Sequence, residues 1–227
     1  IDSLYAIKKA VYEDKITTFG HLLKAMKEDF RDDEILRQYL LHKVPKFCKD
    51  KDATEFGKKV MDDLAECLGG QANYRGGKFE PSLFAFYSYN WFKNVTIATA
   101  DGRKSESALS RGVNPSESTE NINIAALLDA IKTMDYTKYP GGAVIYMDIP
   151  LMYKTPQPSL FASVMRAFCE NGGSIMDFNV ISRNALLEAQ KNPETHKNIV
   201  VRVCGYSAYF HTLTAEMQNE VIQRTQR

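Results

Sequence analysis

The sequence predicts an α/β protein with an N-terminal helical region. Helical periodicity fills roughly the first 70 residues, and the composition changes at Tyr74 to glycine, aromatic and β-branched residues. Strands and helices then alternate between residues 143 and 203, a pattern typical of a parallel sheet with right-handed crossovers. We therefore predict two domains, a helical region at 1–72 that packs on the sheet and an α/β domain at 73–227.

The helical region contains four amphipathic segments. They begin near Leu4, Thr18, Asp33 and Asp52. The fourth has the clearest bounds, because an Asp-x-x-Glu cap from Asp52 to Glu55 starts it and Gly69-Gly70 ends it. Each segment carries its apolar residues on one face, so we expect helices that each pack a single stripe.

The α/β domain is predicted from hydrophobic runs and the breaks between them. Leu83 to Tyr87 reads as a short buried strand, and residues 111–121 as a polar loop before a helix at 122–134. The alternating elements follow as strand 143–149, helix 159–171, strand 174–181, helix 183–191 and strand 199–203. A helical tail closes the sequence after Thr214.

Charge and hydropathy argue against several classes of protein. With 29 basic and 28 acidic residues mixed along the chain, the net charge is +1, which favours neither nucleic acid nor an anionic membrane as a partner. No apolar run reaches the ~18 residues of a spanning helix, and no leader pattern opens the sequence. We expect a soluble, cytoplasmic protein. Because the chain opens on Ile1, we also expect that something upstream is missing or that the start was processed.

The cysteines and histidines show no metal-binding or disulfide pattern. Cys48, Cys67, Cys169 and Cys204 lack CxxC spacing, and the four histidines are scattered over different predicted elements. Neither a GxGxxG nor a P-loop motif occurs, so nucleotide binding is not indicated. We expect reduced thiols, no metal site and no bound cofactor.

The strongest candidate site is the stretch RVCGYSAYF, from Arg202 to Phe210. A β-branched run over 199–203 predicts a buried strand, which stops at Gly205 among large aromatic residues. In most proteins a glycine at such a place supplies positive φ at a turn. Its sequence context favours a chemical role instead.

That context resembles the radical-bearing loop of the glycyl radical enzymes, the family of pyruvate formate-lyase and of the glycerol, diol and choline lyases. Gly205 aligns with the glycine that loses an α-hydrogen, and a helical tail follows it, as in the family. Asn179, in SIMDFNVIS, matches the asparagine of a family strand that ends in Phe-Asn-Val. Further family positions are matched in order by Gly76, Gly77, Phe79, Pro81, Phe84, Asp101, Gly102 and Arg103.

The resemblance implies a fold and a radical site. The fold is a ten-stranded α/β barrel of two half-sheets, of which this chain would supply the C-terminal half. An α-carbon radical on Gly205 would be stabilised by delocalising into the flanking amides, and a Cβ would crowd that planar arrangement. Because such a radical must be kept from water and oxygen, we expect Tyr206, Tyr209 and Phe210 to bury it. The whole radical-loop environment is Arg202, Cys204, Tyr206, Ser207, Tyr209 and Phe210.

The resemblance also implies partners. The radical would be installed by a radical-SAM activating enzyme and would generate a thiyl radical on a cysteine that then attacks a small-molecule substrate. No cysteine here fits that role, since Cys67 closes a helix, Cys169 lies within one and Cys204 points to the opposite side of an extended chain. We expect a partner chain with the thiyl cysteine and most of the substrate site. Asp148, at a strand end, is a candidate substrate contact or else a salt-bridged surface carboxylate.

Three functions remain open at this stage. The first is the radical-bearing subunit or C-terminal portion of a lyase or dehydratase, which the helical region over Leu4 to Leu68 favours. The second is a replacement module that restores an oxygen-damaged enzyme. The third is a non-catalytic α/β interaction protein, which would tolerate Gly205→Ala.

Overall fold

The computed structural model describes residues 1–85, 91–116, 119, 124–149 and 158–225, and shows a mixed α/β fold. Its helices are α1 Asp2–Ile7, α2 Phe19–Lys27, α3 Glu34–His42, α4 Lys51–Leu68, α5 Ile124–Thr133, α6 Pro158–Glu170, α7 Arg183–Lys191 and α8 Ala215–Arg224. Its strands are β1 Val144–Ile149, β2 Ile175–Val180, β3 Val200–Arg202 and β4 Ser207–Tyr209. Among the described residues, no helix is both long enough and apolar enough to cross a membrane.

The N-terminal helices follow the predicted segments, with two differences. α1 continues directly into a π-helical stretch, Lys8–Glu13, which hydrophobic periodicity did not indicate. The predicted cap of α4 is wrong, because the helix begins at Lys51 and its N-cap lies two residues before Asp52. Asp50 is its N-cap, and the Asp50 side chain accepts a hydrogen bond from the Ala53 amide at 3.0 Å.

The parallel sheet predicted from the alternation is present. β1 and β2 pair in parallel, from Val144 opposite Ile175 to Ile149 opposite Val180, and α6 lies between them in sequence. β3 and β4 instead form an antiparallel hairpin, which the sequence read as a strand followed by a loop. The described strands thus form two two-stranded sheets, and closure into a ten-stranded barrel stays a prediction. The predicted strand at Leu83 to Tyr87 lies partly outside the described residues, although Leu83 bridges Ala143.

Strand β1 contributes to two hydrophobic cores because its side chains alternate between the faces of the sheet. Ile145 and Met147 pack with residues of α4, α5 and α6, including the fully buried Phe168. Val144 and Tyr146 pack on the other face with residues of α7, β3 and α8. The helical region therefore shares a core with the sheet through α4, while the boundary at residue 72 stays a prediction.

Candidate functional site

Gly205 lies at the turn of the β3–β4 hairpin. The Val203 amide donates to the Tyr206 carbonyl at 2.9 Å, which closes the turn, and Gly205 has a φ of +75°. Among the described residues, a Cβ built on Gly205 would find no atom within 4 Å. Positive φ, rather than lack of space, is therefore what favours glycine here on structural grounds. The residue is exposed to solvent in this chain.

The described residues do not by themselves bury Gly205 behind the predicted aromatic shelter, which stays a prediction. Tyr206 and Tyr209 are 48% and 53% exposed, Ser207 is also exposed, and only Phe210 is fully buried. Within the described residues β4 pairs only with β3, and its side chains at Ser207 and Tyr209 are both exposed.

The underside of the same turn is buried. The Cys204 Sγ lies 3.2 Å from the Tyr146 hydroxyl, and either atom can be the donor. Burial, followed by this contact with Cys204, raises the pKa of Tyr146 well above its usual value. Tyr146 is held in turn by Asn114, whose side chain accepts from its amide and donates to its carbonyl at 2.8 and 2.7 Å. The Arg111 guanidinium lies 5.5 Å from the Tyr146 ring centroid.

A buried carboxylate joins the turn to β2. Asp177 Oδ2 accepts a hydrogen bond from the Gly205 amide at 3.2 Å, and Asp177 Oδ1 accepts one from Arg202 Nε at 3.0 Å. Asn179 clamps the Arg202 backbone, accepting from its amide at 2.7 Å and donating to its carbonyl at 2.9 Å. The site thus places Arg202, Cys204 and Gly205 next to Asp177, Asn179 and Tyr146 from neighbouring strands.

Sequence analysis missed Asp177 and Tyr146 as neighbours of Gly205. The available signal for Asp177 was an ionisable residue inside an otherwise apolar strand, SIMDFNVIS. Tyr146 gave no comparable signal, because a tyrosine in a buried strand is usually an ordinary core residue. Asp148 lies in β1 opposite Asn179, and its suggested contact with a substrate stays a prediction.

The other three cysteines belong to different parts of the fold. Cys48 packs in the core shared by α4 and β1, where burial raises the pKa of its thiol far above the usual value. Cys67 in α4 and Cys169 in α6 are exposed. None of the four cysteines forms a disulfide. The described residues contain no group of three or more His, Cys, Asp or Glu side chains able to hold a metal ion.

The upstream Asp101-Gly102-Arg103 motif forms a buried hydrogen-bond network. Asp101 accepts hydrogen bonds from the hydroxyls of Ser3, Thr99 and Ser116 at 3.0, 2.5 and 2.8 Å. The Arg103 guanidinium donates to backbone carbonyls, the shortest of them those of Ser107 and Ile97 at 2.6 and 2.7 Å. These contacts satisfy buried groups within the chain, so the motif is structural here.

Comparisons with known proteins match this chain over most of its length. A pyruvate formate lyase-like family profile matches residues 1–93, and a glycine radical profile matches residues 109–211, which include the Gly205 turn. The trans-4-hydroxy-L-proline dehydratase of Clostridioides difficile is 30% identical over the whole chain, which spans 29% of that relative. The isethionate sulfite-lyase of Nitratidesulfovibrio vulgaris is 33% identical over 99% of the chain and 28% of the relative.

Solved structures give the same result. The B12-independent glycerol dehydratase of Clostridium butyricum superposes with a TM-score of 0.87 and 32% identity, over 98% of this chain and 29% of that one. The hydroxyproline dehydratase of Clostridioides difficile gives a TM-score of 0.85 at 29% identity. The chain therefore spans less than a third of the relatives it matches.

A glycine on an open turn beside a parallel α/β sheet, within a matched glycine radical profile, defines the class as a glycyl radical domain. The chain belongs to the glycyl radical enzyme family and corresponds to the C-terminal part of its dehydratases and lyases. The predicted family resemblance is thereby confirmed.

Proposed function

We propose that this chain stores an organic radical on Gly205 and serves as the radical-bearing portion of a lyase or dehydratase. The observation that carries the proposal is Gly205 itself, a positive-φ turn residue within the matched glycine radical region, residues 109–211, with no atom of the described residues within 4 Å of a Cβ built there. An activating enzyme can reach the Gly205 α-carbon without displacing part of the described chain. A thiol from a partner can approach the same carbon.

The proposed chemistry is a sequence of hydrogen-atom transfers. The activating enzyme would remove one α-hydrogen atom from Gly205 with radical chemistry supplied by S-adenosylmethionine, and the unpaired electron would then stay on the Gly205 α-carbon. During turnover the Gly205 α-carbon takes a hydrogen atom from a cysteine thiol, which leaves a thiyl radical. The thiyl radical then takes a hydrogen atom from a substrate carbon. Each step breaks one bond to hydrogen and forms another, so the chain needs no metal of its own.

The thiol in this scheme comes from outside the present chain. Cys204 directs its sulfur to Tyr146 on the buried side of the turn, and Cys48 is enclosed in another core. Cys67 and Cys169 lie on α4 and α6, which pack against one face of β1, whereas the Gly205 turn packs against the other face. Because Gly205 is exposed in the chain alone, the partner must also supply the cover that keeps oxygen from the radical.

For the reaction, we propose C–O or C–S bond cleavage on a small hydroxylated or sulfonated molecule. Support comes from the names of the relatives, which are dehydratases and a sulfite-lyase. Most substrate contacts would come from the partner chain, with Asp148 in β1 as the contact proposed from this one.

A replacement module for an oxygen-damaged enzyme is the second candidate, and one observation favours it. The hydrogen bonds described above at the Gly205 turn involve Asn114, Tyr146, Asp177, Asn179 and Arg202, which all lie outside α1 to α4. The domain that bears the turn thus carries its own support. The helical region, which shares a core with β1, favours a dedicated subunit instead.

Anaerobic electron paramagnetic resonance tests the proposal. The full chain is treated with a radical-SAM activating enzyme, S-adenosylmethionine and a reductant, and Gly205→Ala is treated in parallel. We expect a doublet from the single remaining α-hydrogen in the native chain and no signal in the variant. A native chain that stays silent with an activating enzyme shown to be active on its own partner would contradict radical storage.

The partner is identified by anaerobic co-purification with the tagged chain. We expect a larger polypeptide that carries the thiyl cysteine and buries well over the ~1,600 Å² of a standard interface, since it would complete a sheet. A replacement module would instead restore turnover to an oxygen-cleaved enzyme. If the tagged chain does neither, the catalytic proposal fails even where the radical forms.

A further inference from the structure

The carboxylate of Asp177 contacts the peptide group next to the proposed radical carbon. Its Oδ2 accepts the Gly205 N–H at 3.2 Å, and its Oδ1 accepts Arg202 Nε at 3.0 Å. The side chain is 5% exposed, whereas that of Arg202 is 32% exposed. The carboxylate is therefore largely desolvated while its cationic partner is still partly hydrated, which leaves the negative charge weakly screened on the side of the amide.

The position of this carboxylate is fixed from two strands. Asp177 lies in β2, and Arg202 closes β3, where Asn179 holds its backbone through two hydrogen bonds. On the other side of the turn, Tyr146 of β1 contacts the Cys204 sulfur at 3.2 Å. Gly205 itself is at a turn where a Cβ would have no described atom within 4 Å. The only described side chain bonded to its amide is thus a rigidly held anion.

A carboxylate at this position has an electronic effect that a neutral acceptor lacks. A radical on the Gly205 α-carbon is stabilised by electron donation from the flanking amide nitrogen. A hydrogen bond from that N–H to an anion increases the electron density on the nitrogen, and charge-assisted hydrogen bonds are roughly twice as strong as neutral ones. More spin then moves from the α-carbon to the nitrogen, and the radical becomes more persistent.

We propose that Asp177 is a positioning residue that holds the Gly205 amide and, through its charge, sets the spin distribution and lifetime of the glycyl radical. This inference rests on the proposed function, because it concerns the same radical. It goes further by assigning a tuning role to a residue of β2 that does not touch the α-carbon itself.

The test compares Asp177→Asn with a matched control, Glu194→Gln. The first variant keeps the shape of the side chain and an acceptor oxygen but removes the charge. The second removes one carboxylate charge from an exposed surface ion pair with Lys197. Both full-length variants are labelled with ¹⁵N-glycine, activated anaerobically and examined by electron paramagnetic resonance.

For Asp177→Asn we expect a wider α-hydrogen doublet, a smaller ¹⁵N coupling and a radical that decays about fivefold faster under anaerobic conditions, which corresponds to about 1 kcal/mol. Glu194→Gln should match the native chain in all three. A merely structural role for Asp177 would lower the yield of radical without changing the doublet splitting. Native splitting and lifetime in Asp177→Asn would overturn the inference.

A second measurement needs neither activation nor a variant. In the resting native chain, we expect the ¹⁵N-labelled Gly205 amide to exchange its hydrogen with solvent about tenfold or more slowly than an unstructured peptide, because Asp177 accepts its N–H. Exchange at the unstructured rate would remove the contact on which the inference depends. If this amide is protected but no native radical forms, the proposed function has failed and the contact has not, so the two failures are distinguishable.

Discussion

Two glycines in this chain, Gly102 in the predicted Asp-Gly-Arg motif and Gly205 in the matched glycine radical region, have opposite surroundings. Gly102 has a φ of +93°, and a Cβ there would lie 2.8 Å from Leu41 Cγ and 3.3 Å from the Arg37 carbonyl. Gly205 has a φ of +75°, and a Cβ there would meet no atom of the described part of the chain within 4 Å. Packing and backbone conformation together require glycine at position 102, whereas conformation alone favours it at position 205.

The difference separates a structural glycine from a chemical one. Around Gly102 the polar groups are saturated inside the chain, with Asp101 accepting three hydroxyls and Arg103 donating to several carbonyls. At Gly205 the amide donates to Asp177, while the space at the Cβ position holds no atom of the described residues within 4 Å. An open side is of no use to a stable core, but it gives access to the α-carbon. Four predictions test this contrast.

The largest expected effect is cleavage of the backbone at one glycine. When the activated chain is exposed to air, oxygen should add to the Gly205 α-carbon and the chain should break there, releasing a fragment that begins near this residue, 22 residues from the end. Mass spectrometry should find no break at Gly102. Without activation no break is expected, and an intact chain after air exposure of a sample with a verified radical would contradict the assignment.

The next effect is on stability. Gly102→Ala should lower the free energy of unfolding by about 2–4 kcal/mol, because the methyl group overlaps Leu41 and positive φ is strained for alanine. Urea denaturation followed by circular dichroism measures it. Gly20, exposed near the start of α2 with no atom within 4 Å of its Cβ position, is the matched control, and Gly20→Ala should be neutral or stabilise by up to ~1 kcal/mol. Equal losses in both variants would refute the packing argument.

Gly205→Ala should cost less, about 1–2 kcal/mol, since only the φ penalty applies. The same urea titration measures it. A loss as large as that of Gly102→Ala would mean that the turn is more closely packed than the structure shows, and would weaken the assignment of an accessible α-carbon.

The smallest effect concerns the two sides of the Gly205 turn. Cys204 is buried against Tyr146 although its neighbour Gly205 is exposed. In the resting chain iodoacetamide should modify Cys67 and Cys169 promptly, and Cys48 and Cys204 only slowly. Tyr146→Phe should speed the reaction of Cys204 severalfold and leave Cys48 unchanged. Rapid alkylation of Cys204 in the native chain would show that the underside of the turn is open too.

Much of the fold could be predicted because its signals are local. Helix α7 has the predicted bounds, β1 starts one residue later than predicted, and β2 is one residue shorter at each end, since apolar periodicity and breaks define such elements. The hairpin strand β4 was missed because Ser207–Tyr209 is too short and mixed to show alternation. The Asp52 cap was misplaced because Asp50 fits the same capping role, and only geometry shows which aspartate accepts the Ala53 amide.

In the candidate site too, residues with a local sequence signal could be predicted and residues that meet only through packing could not. Gly205 could be found from sequence, because its motif is contiguous from Arg202 to Phe210. Asp177 and Tyr146 could not be assigned to it, because they come from β2 and β1 and meet the turn only through strand packing. The exposure of Tyr206 and Tyr209 also depends on what covers an edge strand, which no local pattern records.

Because neighbouring side chains of β1 enter different cores, the strand cannot tolerate a shift of its register by one residue. Inserting or deleting one residue between Val144 and Met147 would send each apolar side chain to the wrong layer and would turn Tyr146 away from Cys204. Insertions and deletions in this part of the chain should therefore occur in the connections around the sheet. The number of residues from the start of β1 to Tyr146 should stay constant, because it fixes the position of the Tyr146 hydroxyl under the radical turn.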